Sequence, residues 1–71
     1  MTLKELRRQS GKTAKEVADK LGVSNSAISH YECGMREMKL EHVLILAQLY
    51  DCAEREVIEA QLNSIAIRSS D

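Results

Sequence analysis

The feature that most restricts this chain is a joint of two residues. Leu21 ends a stretch of apolar residues at helical spacing. Gly22 can take the left-handed backbone that closes a helix, and Val23 leads straight to Ser24, a residue type that opens one. Two helices joined that tightly must cross sharply and pack against each other. Both flanks carry the matching signals. Thr13-Ala14-Lys15-Glu16 has capping-box spacing, and Val17, Ala18 and Leu21 share one face. Ala27, Ile28 and Tyr31 recur at helical spacing before Gly34. Ala18 is small where the two axes approach, and Val23 fills the inside of the turn. The spacing predicts helices over about 13–21 and 24–32.

The rest of the chain reads as helix too. Thr2-Leu3-Lys4-Glu5 is another capping box, with Leu3 and Leu6 as its apolar face and Gly11 as its stop, giving a helix over roughly 2–9. Met35 to Lys39 reads as a polar connection. Leu40 to Tyr50 is densely apolar; Leu40, Val43, Leu44, Ala47 and Tyr50 are expected to face inward, leaving Ile45 and Leu49 spare. Asp51-Cys52-Ala53 breaks that helix. A fifth starts near Glu54 and Glu56, acids that suit a helix N-terminus, and carries Val57, Ile58, Leu62 and Ile65. With no Pro and only three Gly in 71 residues, strands linked by tight turns are disfavoured. The expectation is an all-α domain of five helices over 1–67, with 68–71 as a frayed tail.

The helix after the joint turns Asn25, Ser26, Ser29 and His30 outward. All four are polar and none is acidic, which suits a DNA groove. At this point the run from Gly11 to Gly34, with its Leu-Gly-Val-Ser, Ile-Ser and Glu-x-Gly elements, resembles the Cro/repressor-type (Xre-like) helix-turn-helix family. The resemblance extends from about Leu3 to Ile58. It implies a lambda-repressor-like five-helix bundle whose third helix enters the major groove of double-stranded DNA. Asn25, Ser26, Ser29 and His30 would then read bases. Lys12, Thr13, Ala14, Lys15, Cys33, Met35, Arg36 and Lys39 would meet the phosphate backbone, Cys33 and Met35 through their main chains. Arg7 and Glu32 match a family ion pair between the first and third helices. Two positions depart from the pattern. Many members carry Gln where this chain has Ala14, and Asn or Arg where it has Cys33, so two side-chain contacts are missing.

Charge supports this reading only when it is taken by position. The whole chain carries a formal net charge of −1, which by itself disfavours a nucleic-acid partner. Residues 1–39, however, hold eight basic and five acidic side chains, and residues 40–71 hold two and six. A basic half is thus joined to an acidic one. Low aromatic content, with two Tyr and no Phe or Trp, disfavours single-strand binding by base stacking.

The spare apolar residues Ile45, Leu49, Ile58, Leu62 and Ile65 are expected to form a homodimer interface, within a dimerisation region of about 45–67. Such a chain would be a transcriptional regulator, most simply a repressor. The alternative is a protein-interaction module of the same fold, an antitoxin or antirepressor that grips a protein partner. His30, Cys33, His42 and Cys52 lack the paired spacing of a metal site, so no metal and no cofactor is expected. No arrangement of nucleophile and base argues for an enzyme. Two cysteines do not make a disulfide framework, and no apolar run reaches about 18 residues, so a cytoplasmic protein off the membrane is expected.

Overall fold

Thr2, Thr13 and Ser24 each cap a helix with a side-chain oxygen, at the places the sequence marks. The computed structural model describes residues 1–69, and among these it shows five α-helices and no strand: α1 Leu3–Gln9, α2 Ala14–Leu21, α3 Asn25–Glu32, α4 Leu40–Leu49 and α5 Glu54–Ser69. In α1 and α2 the capping boxes are reciprocal. Thr2 Oγ1 accepts from Glu5 N at 3.3 Å while Glu5 Oε1 accepts from Thr2 N at 2.8 Å. Thr13 and Glu16 do the same at 3.1 and 3.0 Å. These bonds hold the Glu5 and Glu16 carboxyls below their ordinary pKa, chiefly through the backbone amides they accept from. Gly22 closes α2 with φ 71°, and Val23 N reaches back to Ala18 O at 3.0 Å.

The core gathers one stripe from each helix. Leu3 and Leu6 of α1, Val17, Ala18 and Leu21 of α2, and Ala27, Ile28 and Tyr31 of α3 are all buried, as their spacing predicts. Val17 and Val57 are almost fully enclosed; burial of that kind stabilises by about 1.5–3 kcal/mol per side chain. His42 lies edge-on to Tyr31, with ring centroids 6.4 Å apart.

Helix α4 is turned differently from expectation. Its inward stripe is Val43, Leu46, Ala47 and Tyr50, a regular i, i+3, i+4, i+7 set. Leu40 is 72% exposed and Leu44 is exposed as well, while Ile45 and Leu49 pack partly against the core rather than standing spare. Met38, expected in a polar connection, is buried instead, and its amide donates to Gln61 Oε1 at 2.8 Å. The chain therefore enters the core before α4 begins. Burial pushes the Tyr50 phenol well above its ordinary pKa.

Helix α5 also uses a face that its large residues do not mark. Val57, Ala60 and Ser64 are buried, whereas Ile58 and Leu62 are exposed. Ser64 Oγ accepts from Leu3 N at 3.3 Å and donates to Ala60 O at 2.9 Å, so its polar atom is satisfied inside. Small residues let α5 approach closely. A Cβ on Gly34 would lie 2.5 Å from Ser64 O and 2.8 Å from Ile65 Cα. The helix runs through Ser69, so Arg68 is helical where a frayed tail was expected; Ser70 and Asp71 lie outside the described residues.

Candidate nucleic-acid interface

Helix α3 has two unlike faces. Ala27, Ile28 and Tyr31 are buried, and Asn25, Ser26, Ser29 and His30 are all exposed on the other side. Since the core fixes the first set, it also fixes how the second is presented. The exposed set contains hydrogen-bond donors and acceptors and no carboxylate, so it can meet base edges without repelling phosphates. Ser24 Oγ accepts from Ala27 N at 3.2 Å and defines where the helix starts.

The ion pair between α1 and α3 is formed. Arg7 Nε donates to Glu32 Oε2 at 2.6 Å and its second nitrogen, Nη2, to Oε1 at 3.2 Å, a two-pronged contact. The side chains are only 14% and 11% exposed. Arg7 Nη1 also donates to the Lys12 carbonyl at 3.1 Å, which ties the α1–α2 connection to the same knot. The bond to Glu32 raises the Arg7 pKa above its ordinary value. This knot sets the end of α3 relative to the rest of the bundle.

Around α3, the residues expected at the DNA backbone fall into two groups. Lys15, Arg36 and Lys39 are exposed side chains, and Lys12 is half-buried. Thr13 uses its hydroxyl in the cap, and Glu16 sits on the same helix terminus, so a phosphate there would meet the amides of Ala14 and Lys15. The Ala14 side chain packs partly against the core.

The main-chain amides of Cys33 and Met35, expected to meet phosphate, bond within the turn. Cys33 N donates to Ser29 O at 2.9 Å, Gly34 N to Tyr31 O at 3.2 Å and Met35 N to His30 O at 2.9 Å. This is the Schellman closure of a helix with glycine in the left-handed position, φ 75°. Both amides are therefore already engaged within the turn, and the exposed cationic side chains of this loop are Arg36 and Lys39. The signal was legible, since Gly34 after an apolar-periodic helix implies this closure.

Of the five residues expected at a dimer interface, Ile58 and Leu62 are exposed, Ile65 is half-buried, and Ile45 and Leu49 belong partly to the core. The exposed apolar surface on α4 is Leu40 and Leu44. Among the described residues no group of three or more His, Cys, Asp or Glu could hold a metal ion, and no helix is long and apolar enough to cross a membrane. Cys33 and Cys52 are free thiols.

Comparison with known proteins agrees with this geometry. The helix-turn-helix family profile matches residues 3–57, and the chain belongs to that family. It is 41% identical over 49 residues to the HTH-type transcriptional regulator ImmR of Bacillus subtilis (strain 168), a match covering 69% of this chain and 39% of that protein. It is 35% identical over 49 residues to the uncharacterized HTH-type transcriptional regulator YobD of the same organism, covering 69% of this chain and 44% of that one. The chain thus matches less than half the length of either relative. No solved structure gives a significant match.

Proposed function

We propose that this chain is a DNA-binding transcriptional regulator that recognises a specific duplex sequence as a homodimer in the cytoplasm, and that it represses by covering a promoter. The observation that carries the reading is the acid-free outward face of α3, locked in orientation by Ala27, Ile28 and Tyr31 on its buried side. Asn25, Ser26, Ser29 and His30 read base edges in the major groove. Lys12, Lys15, Arg36 and Lys39, together with the amides at the start of α2, hold the phosphates. The relatives' description as transcriptional regulators supports the regulatory role. A second copy packs on the exposed Ile58 and Leu62 and the half-buried Ile65 of α5. A two-fold dimer of this kind sets its recognition helices about 34 Å apart, one DNA turn.

The exposed apolar residues of α4 and α5 also fit a second reading, in which the domain grips a protein partner as an antitoxin or antirepressor does. Base-contact variants separate the two. Asn25→Ala and His30→Ala should each change sequence preference in a duplex-binding assay, while Arg36→Ala weakens all sequences evenly. If all three variants bind DNA like the wild type, the groove-reading assignment is wrong and the partner reading replaces it.

A further inference from the structure

Three elements meet behind the end of α3. Helix α5 crosses Gly34 at backbone contact, and Ser64 on the same turn accepts from Leu3 N at the start of α1. A groove of about 300 Å³ opens at this junction, between Thr2, Lys4, Glu32, Cys33, Ile67 and Arg68. Lys4 and Arg68 are both exposed. Among the described residues lining the groove the carboxylate is Glu32, which is engaged by Arg7, so their remaining charge is positive. Arg68 is one of only two basic residues in the acidic half of the chain, and it sits against the basic half.

Helix length places this groove beside DNA. The eight residues of α3 span about 12 Å, which is also about the width of the major groove. With Asn25 at the base edges, the Cys33 end of the helix arrives at the strand that walls the groove. A volume of about 300 Å³ accepts a phosphodiester but not a further helix. We propose that Lys4 and Arg68 clamp a backbone phosphate of the bound duplex, so that α1 and the end of α5 take part in DNA binding from outside the helix-turn-helix. This rests on the duplex-binding reading above, and its test is chosen so that each can fail separately.

The test is the salt dependence of binding to a mixed-sequence 30-base-pair duplex, using the full chain. Each lost phosphate contact lowers the slope of log K against log salt by about 0.9. Lys4→Gln and Arg68→Gln should each lower the slope by part of that amount, and the double variant by about 0.9, with helical content by circular dichroism unchanged. Arg55→Gln removes the other cation of the acidic half, about 20 Å away along the same helix, and should leave the slope unaltered. Wild-type slopes for Lys4→Gln and Arg68→Gln would overturn the clamp, as would an equal drop for Arg55→Gln, which would mean only a general field. Alkylation of Cys33 gives an independent readout of the parent reading. Cys33 is exposed, whereas Cys52 is half-buried with a thiol pushed up by burial, so Cys33 reacts first. Cys33 shielded by duplex with slopes unchanged removes the clamp alone; no salt-dependent binding and no shielding removes the duplex reading and the clamp with it.

Discussion

The α2–α3 and α4–α5 hairpins are both closed by short connections, yet they encode their orientation differently. In α2 and α3 the apolar residues are just enough for one face each, and polar signals mark the ends: Thr13 with Glu16, Gly22, Ser24 and Gly34. In α4 seven of the ten residues are apolar, and in α5 the apolar residues outnumber one face. A sparse stripe fixes a helix's rotation, whereas a surplus leaves it open. The same surplus leaves Leu62 57% exposed, the surface on which the proposed dimer depends.

The sharpest contrast is between the two glycines that close α2 and α3, because only the second lies against the α4–α5 hairpin. Gly22 and Gly34 share a left-handed φ, but a Cβ at Gly22 meets nothing within 4 Å, while one at Gly34 meets the α5 backbone. Gly34→Ala should cost about 3–4 kcal/mol, joining left-handed strain to overpacking. Gly22→Ala should cost only about 1–2 kcal/mol. Thermal melts of both variants check the difference. Equal losses would mean that α5 does not press on the end of α3.

The next largest effect lies in the α1–α3 knot. Arg7→Ala or Glu32→Ala strands one charge in a largely buried site and should cost about 3 kcal/mol. The double variant Arg7→Met with Glu32→Leu should lose less than either single change, by denaturant titration. Additive losses would show that the pair acts as two separate surface charges.

Across the other hairpin the effect is on assembly rather than stability. Leu62→Asp changes an exposed residue, so the fold should hold within about 0.5 kcal/mol while the sedimentation mass falls from dimer to monomer. An unchanged mass would sink the assignment of Ile58 and Leu62 to a dimer interface. The smallest effect concerns the caps. Glu5 and Glu16 have lowered pKa values in the fold, so their contribution is present above the ordinary carboxylate value of 4.5 and is lost as pH falls through the folded value. Glu16→Gln keeps an acceptor at the cap without titrating and should flatten that acid limb in a melt-versus-pH series; an identical limb would place the titration elsewhere.

What the sequence made legible follows the same division. The caps, the glycine stops and the stripes of α2 and α3 are local or strongly patterned, whereas the Arg7–Glu32 pairing, 25 residues apart, came only from the family resemblance. Met38 and Ser64 were not legible. Met38 sits among polar residues, and its amide donates to Gln61, 23 residues away. Ser64 is a polar residue in a small-residue face, and only the approach of Leu3 and Gly34 explains it. The engaged amides of Cys33 and Met35 were within reach, because the Schellman closure follows from Gly34 itself.

Selection of the full chain against a random duplex library tests the central claim most directly. The account predicts an enriched near-palindrome with half-site centres about 34 Å apart, one DNA turn, altered at defined positions by Asn25→Ala and His30→Ala. No enriched sequence, with only weak binding that vanishes as salt rises, would contradict it.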